Sequence, residues 1–356
     1  MTKTELLEAI GRDDTIEKAD LSGLDLSGID LSGARFEDCS FRCTDLTGAR
    51  IQRTGFNGCD FCGAIIEKCD LTKVLWLRMN LRGAILRNSI LHKAVLSGAD
   101  LSEADLSGAD ISHAVMNGVK LENARLTGAK VFRTMLNQAS LKGADLSGAD
   151  LTRAIFFEAD LSGSILTGAT LHKTILRGCD LTDQNFKGAS FTLCQAGGAN
   201  FKGSDFTGAD LTMTNFMNAD LSGVNLREIK GQRAVFLDAK LAGASLVKAE
   251  LAQACFEDAA LDKADFSDAD LEQALFARAV CRGARFAHAN CSYADFSHAD
   301  LMEADFSSAR LFRAKLHRIK EEHATWQGAN REVALGTDND LAEAEEMQEQ
   351  TRSKKT

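Results

Sequence analysis

A five-residue phrase repeats along almost the whole chain, and this repeat limits the fold more than any other feature. Residues 140–154 read SLKGADLSGADLTRA, which holds three near-copies of the phrase A-D-L-x-x. With the apolar third residue of each phrase taken as its centre, the register holds from Ile16 to Leu316 without an insertion or deletion. Of these 61 centres, 57 are Leu, Ile, Val, Met, Phe or Trp. The period is therefore a property of the fold rather than of one local segment.

The pattern inside each phrase predicts a short extended piece followed by a corner. Two residues before the centre, 55 of 60 positions hold Ala, Cys, Ser, Thr or Val. A spacing of two places this small residue and the centre on the same, inward side, and the residue between them, commonly Asp, faces outward. The last two positions are often Ser-Gly or Thr-Gly, which favours a turn. A helix is excluded, because five residues advance about 500° and would spread the centres over every side.

The phrase resembles that of the pentapeptide-repeat proteins, and the resemblance covers about nine-tenths of the chain. It implies an all-β fold, a right-handed four-sided parallel β-helix with four phrases per coil. One feature of this sequence supports that number independently. The outward residue before the centre is usually polar, but apolar residues break the rule at intervals of 20 at Leu75, Val95, Val115, Met135, Ile155 and Ile175. Four phrases per coil stack these six residues in one column, which is called the apolar column below.

The sequence predicts three segments without an interruption between them. Residues 1–15 form an N-terminal cap, in which Thr2 and Glu5 fit a capping box at the start of a helix. Residues 16–320 form the β-helix of about 15 coils, and residues 321–356 form a decaying last coil and an acidic helix that starts near Asp340. Within the core, two columns of aromatic centres are expected towards the C-terminal end, and local distortion is expected at Gln184, Ala196 and Gly231, which depart from the repeat.

The residues do not assemble into a catalytic, metal or cofactor site. The glycines recur by fives at corners, which is not the pattern of a phosphate-binding loop. Most of the 10 cysteines occupy inward slots, where cysteine acts as a small hydrophobe. In the lone CxxC pair, Cys59 faces inward and Cys62 outward, so the two thiols do not share a metal. We therefore expect a protein that is not an enzyme and carries no cofactor.

The clearest functional signal is a second column beside the apolar one. Two residues before each apolar-column position stands a cation or histidine. Together with Arg53, one coil earlier, these form the basic column: Arg53, Lys73, Lys93, His113, Arg133, Arg153 and Lys173. Phe157 adds apolar area nearby. The plain interpretation is that long basic side chains shield a tolerated apolar edge. We favour the alternative, that an apolar strip rimmed by charge binds a partner protein, with Leu75, Val95, Val115, Met135, Ile155, Ile175, Phe157, Lys73, Lys93, Arg133, Arg153 and Lys173 as the binding residues.

Three functions fit this reading. The first is an interaction scaffold or adaptor in the bacterial cytoplasm, since no signal peptide or membrane span is predicted. The ending from Leu311 resembles the tails of pentapeptide-repeat proteins linked to type VI secretion clusters, which implies loading of an effector onto the secreted spike.

The second function is a topoisomerase protector that imitates DNA, as in the quinolone-resistance members of the family. The net charge of −10 fits it, but the basic column is the reverse of a phosphate imitation. The third is a structural or secreted protein. We expect no nucleic-acid or membrane partner, and self-association would use the C-terminal end.

Overall fold

A computed structural model describes residues 1–353, with side chains up to residue 348. The chain divides into two compact units, Met1–Gln195 and Ala196–Thr356, which are described separately. That the β-helix runs without interruption through both, and that it ends at residues 15 and 320, stays a prediction.

The first unit begins with helix α1, Lys3–Gly11. As predicted, it starts with a capping box, in which the Glu5 amide donates to Thr2 Oγ1 at 3.3 Å and the Thr2 amide donates to Glu5 Oε2 at 2.7 Å. The buried side of the helix consists of Leu6 and Ala9. Leu7 is exposed.

The strands of the first unit pair in parallel with a constant offset of 20 residues. Strand β1 (Thr15–Glu17) pairs with β2 (Arg35–Glu37), which pairs with β3 (Gly55–Asn57). Further along, most phrases contribute a single bridge residue with the same offset, as in Asp145↔Ile165. In the second unit the same pairs run from Asn200↔Asp220 to Lys315↔Leu335. Twenty residues per coil confirm the expectation of four phrases per coil.

One phrase, residues 145–149, shows why the sequence has this form. The Leu146 amide donates to Ile165 O of the next coil at 2.8 Å, and the Asp145 amide donates to Ala124 O of the previous coil at 2.9 Å. The corner is closed by Ala149 N donating to Leu146 O at 3.0 Å. The Asp145 carboxylate accepts the Ser147 amide at 3.0 Å. Asp is therefore common in the phrase because it satisfies a corner donor, as in an Asx-turn.

The corners do not depend on glycine as strongly as the Ser-Gly pattern indicated. The fifth residue of the phrase has a positive φ whatever its type, and forty described non-glycine residues adopt it, including Arg133 (φ 54°) and Lys173 (φ 57°). Such a conformation costs an L-residue free energy and persists only where the surrounding structure fixes it. Here the corner amide provides that constraint, since it is hydrogen-bonded to the next coil, as in Lys173 N to Thr192 O at 3.0 Å.

Stacked rings fill the core of the second unit, as predicted. One column runs through Phe216, Phe236, Phe256, Phe276 and Phe296, with centroids 4.8–5.3 Å apart and nearly parallel planes. The other runs through Phe266, Phe286, Phe306 and Trp326, at 4.5–5.0 Å. These distances match the spacing of adjacent strands, so each ring packs on the ring of the next coil.

The departures from the repeat are accommodated inside the core. Gln184 is buried, and its Nε2 donates to Leu161 O at 3.2 Å. At Gly231 a Cβ would lie 2.8 Å from Leu251 Cδ2, so Leu251 already occupies the space of the missing side chain.

Seven of the cysteines are buried, and burial raises the pKa of the Cys59 thiol to about 12, whereas Cys62 is half-buried on the other side of the chain.

The second unit ends in a 3₁₀ turn, Arg331–Val333, and in helix α2, Asn339–Ser353. The helix begins within one residue of the predicted start. None of the helices among the described residues is both long and apolar enough to span a bilayer.

Candidate partner-binding face

The six residues of the apolar column lie in the first unit and follow one another across adjacent coils. Bridge pairs join Leu75 to Val95, Val95 to Val115, Val115 to Met135, Met135 to Ile155, and Ile155 to Ile175. The column is therefore a continuous strip. Its exposure is uneven, since the Leu75 side chain is 70% exposed whereas the other five residues are half-buried. A partner would contact the outer faces of these side chains and not insert between them.

The basic column stands at the corner just before the apolar column. Its members have left-handed backbone conformations, as at Arg53 (φ 60°), Lys93 (φ 58°) and Arg153 (φ 59°). They occupy successive coils, because the Lys93 amide bonds to Ser112 O and the Arg133 amide to Thr152 O. From Lys73 to Lys173 the corner amides are bonded to the next coil, so these side chains are held at regular intervals along one side of the apolar strip.

The cations of this column are not consumed in ion pairs. Among the residues that the structure describes, none of Lys73, Lys93, Arg133, Arg153 and Lys173 makes an ion pair. Elsewhere in the first unit, arginines do pair with carboxylates of adjacent coils. Their partners are Asp60 for Arg42, Asp30 for Arg50 and Glu67 for Arg87. The basic column thus offers positive charge to a partner.

Sequence reasoning missed a line of rings that crosses the middle of the basic column. The His92 and His113 rings lie 5.2 Å apart, and His113 contacts the Phe132 ring at 5.5 Å. The Arg133 guanidinium stands over the Phe132 ring at 5.3 Å, a cation–π geometry. Desolvation and the neighbouring His92, Arg133 and Lys93 lower the pKa of His113. At His113 the basic column therefore presents a neutral aromatic side chain instead of a cation. The His92, His113 and Phe132 rings add apolar surface at this point.

On the other side of the apolar column, Phe157 and Leu77 extend the apolar surface. Phe157 is 38% exposed and follows the Ile155 rung by two residues, and its carbonyl accepts the Gln138 amide at 2.8 Å. Leu77 is 57% exposed and has the same relation to Leu75. The structure thus places every sequence-predicted binding residue on one face of the first unit. We call this face, made of both columns with Phe157 and Leu77, the docking face.

A separate cluster in the second unit brings together His298, His317 and Glu345, whose ligand-type atoms lie within 4.8 Å of one another. His298 Nε2 is 3.1 Å and His317 Nε2 is 3.3 Å from the Glu345 carboxylate. The Asp338 amide donates to His317 Nδ1 at 3.1 Å, so His317 carries its proton on Nε2 and donates it to Glu345. A metal would need the Nε2 lone pair instead. The cluster therefore acts as a hydrogen-bonded clasp for helix α2.

Two family models match the chain over most of its length. The model of pentapeptide repeats in eight copies matches eleven segments, which together span residues 19–223 and 279–318. The model of a pentapeptide repeat region matches residues 209–286. The chain belongs to the pentapeptide-repeat family. Members of this family form a right-handed quadrilateral β-helix and are generally non-enzymatic structural or interaction proteins. No curated protein sequence matches the chain significantly.

Solved structures of family members resemble the chain at low identity. The trypsin-treated form of QnrB1, a plasmid-mediated fluoroquinolone resistance protein, is 16% identical, with a TM-score of 0.31 over 64% of this chain and 83% of that one. HetL, a protein involved in heterocyst differentiation regulation from the cyanobacterium Nostoc sp. strain PCC 7120, is 22% identical, with a TM-score of 0.17 over 95% and 98%. A pentapeptide repeat protein of the Arabidopsis thaliana thylakoid lumen is 32% identical, with a TM-score of 0.13 over 33% and 63%.

Proposed function

We propose that this protein is an interaction scaffold that holds a partner protein against the docking face of its first unit. The observation that carries the proposal is the unpaired basic column beside a continuous apolar column. A fold that needed these cations for stability would pair them, as it does with Arg42 and Arg50. Apolar burial would supply most of the affinity, at about 25 cal/mol per Å² before the costs of association. The cations would orient the encounter.

The partner that fits this face presents apolar side chains flanked by carboxylates. In the finer form of the proposal, the partner is an effector that the scaffold loads onto a type VI secretion spike, in the bacterial cytoplasm. The resemblance of the tail from Leu311 onwards supports this form. Binding to gyrase, the alternative, would require an acidic face, whereas the ordered columns here are basic and apolar.

The proposal is tested with a variant that removes the apolar column without adding charge. Three aspartates at Val115, Met135 and Ile155 would stack as like charges on adjacent coils and destabilise the sheet. The triple change Val115→Asn, Met135→Asn, Ile155→Asn avoids this, because stacked Asn side chains can hydrogen-bond along a ladder. Proteins are captured on the purified chain from the native bacterium and identified by mass spectrometry, and the strongest is then purified and titrated.

We expect the triple Asn variant to lose that partner and the wild type to keep it. The matched control is Ser140→Asn with Thr170→Asn, which changes outward bridge residues on other faces of the same coils. If the triple variant binds as tightly as this control, the docking face is not the binding site. Inhibition of gyrase supercoiling by the wild type and the triple variant alike would instead support topoisomerase protection.

A further inference from the structure

The ladder of the first unit is interrupted where the docking face begins. In a regular coil the centre amide bonds to the next coil, as in Leu46 N to Ile65 O at 2.7 Å. Within the described residues, the amides of Ile51, Arg53 and Phe56 make no such bond, and the amide of Leu75 makes none to the previous coil. Pairing is intact on either side, at Asp45↔Ile65 and Asp60↔Asn80. A slit therefore separates residues 50–58 from residues 70–77.

Trp76 explains the slit. In the ring columns, centres 20 residues apart stack in parallel, as Phe36 does on Phe56 at 5.3 Å and 8°. Trp76 stands 20 residues after Phe56, yet the two rings are 6.0 Å apart and at 81°. The indole stacks instead on Phe61, at 5.4 Å and 21°. An edge-on ring needs more room than the spacing of about 4.8 Å between adjacent strands, so Trp76 wedges the two coils apart.

The slit opens into a cavity of about 270 Å³. This is well above the space that a single water needs, so the slit has room for several waters or for a short piece of peptide. Thr54 and Val74 occupy small inward slots but are only half-buried, whereas Ala94 and Ala114 in the same type of slot are fully buried. The cavity therefore reaches from the surface into the core layer.

The rim of the slit combines charge and apolar surface. Arg53 and Lys73 of the basic column line it, as does Asp70, whose carboxylate accepts the Thr72 amide at 3.0 Å. With two cations and one anion, the rim carries a net positive charge. Leu75, the most exposed member of the apolar column, stands at the same place.

We propose that the slit receives an extended segment of the partner, in which acidic and apolar residues alternate, and pairs with its backbone. The open edges carry both amide donors (Ile51, Phe56, Leu75) and the carbonyl acceptors that face them in a regular coil. Another peptide backbone matches such an alternation, whereas an inorganic anion would use the donors alone. This inference rests on the proposed function and adds to it the form of the bound segment.

The test uses hydrogen exchange on the full chain with a defined probe, an acetylated and amidated hexapeptide in which valine and glutamate alternate. In the free protein, the amides of Ile51, Phe56 and Leu75 should exchange much faster than that of Leu96, which bonds to Val115 O at 2.8 Å. With the probe at about ten times its Kd, exchange at the three slit amides should slow about tenfold. A probe with every backbone nitrogen methylated should give no protection, because neither of its edges can pair.

Trp76→Leu provides the second arm. Leucine is the usual centre, so the coils should close, the slit amides should become protected without the probe, and probe binding should be lost. The matched control is Phe156→Leu, a buried aromatic centre away from Trp76 whose amide bonds to Ile175 O at 2.8 Å; it should keep the slit and the probe.

Slow exchange at the slit amides in the free protein, or equal protection by the methylated probe, would overturn the inference. If the partner binds through the apolar column while the probe leaves the slit amides unprotected, the slit is only a hydrated edge and the scaffold function stands. If the probe binds but the triple Asn variant keeps every partner, the proposed function fails and the slit remains a peptide site.

Discussion

The outward Asp of the phrase should be a structural residue, and Asp145 allows a quantitative test. Its carboxylate accepts the Ser147 amide at 3.0 Å and the Thr127 hydroxyl at 3.1 Å. Each such bond contributes about 0.5–1.5 kcal/mol, and partial exposure favours the lower half. Asp145→Ala should therefore lower the free energy of unfolding by about 1–2 kcal/mol. A surface substitution without such contacts usually changes it by no more than about 0.5 kcal/mol, so the two cases can be told apart.

Two further variants calibrate this value. Asp145→Asn keeps an oxygen acceptor, so it should cost less than about half of the alanine change. Leu146→Ala removes a fully buried centre whose backbone is fixed by the 2.8 Å bond to Ile165 O, so the coil cannot collapse onto the cavity. It should cost about 3–4 kcal/mol, within the range for buried Leu→Ala changes.

The assay is urea unfolding followed by far-ultraviolet circular dichroism, with hydrogen exchange of residues 140–155 as a local measure. The predicted order of destabilisation is Leu146→Ala, then Asp145→Ala, then Asp145→Asn. If Asp145→Ala and Asp145→Asn unfold alike, the carboxylate oxygens do not hold the corner. If Leu146→Ala is the milder of the two alanine changes, the inward and outward assignment of the phrase is wrong.

Three other predictions follow from the same geometry. Gly231→Leu restores the usual centre but should destabilise by about 1–3 kcal/mol through overpacking, because Leu251 already fills the space; a rise in melting temperature would contradict this. Arg133→Glu with Arg153→Glu should weaken partner binding mainly at low salt, because exposed charges are screened beyond about 8 Å at physiological ionic strength. If binding is weakened equally at high salt, the basic column does not act by long-range electrostatic attraction of the partner. The Ser147 hydrogen bonds lower the pKa of Asp145, so its contribution is present above the unfolded pKa of about 3.9 and is lost as the pH falls through the lower folded value; Asp145→Asn should flatten this part of the acid unfolding curve.

The sequence predicted the coil because its signal is local and periodic. The alternation around Leu146 fixes which residues point inward, and the interval from Leu75 to Val95 fixes the length of the coil. The left-handed conformation at Arg133 was not predictable in the same way. This conformation is imposed by hydrogen bonds to the next coil, and arginine has no intrinsic preference for it that the sequence could show.

The slit was missed for a related reason. In the sequence Trp76 satisfies the rule for a centre, since it is large and apolar. Its effect depends on the distance between coils and on the rings of Phe56 and Phe61, which only the packed structure provides. The docking face was predictable as a set of residues. Its uneven exposure was not, because the five half-buried members shield one another across adjacent coils.

The central claim, that a partner is held against the docking face, is tested most directly by photo-crosslinking in cells of the source organism. A photoreactive phenylalanine analogue is placed at Val115 or Ile155 on the apolar column, and at Ser140 or Thr170 as outward controls in the same coils. We predict one discrete crosslinked product, with the same partner, from both column positions and none from the controls. Equal crosslinking from all four positions, or crosslinking from the controls alone, would contradict the claim.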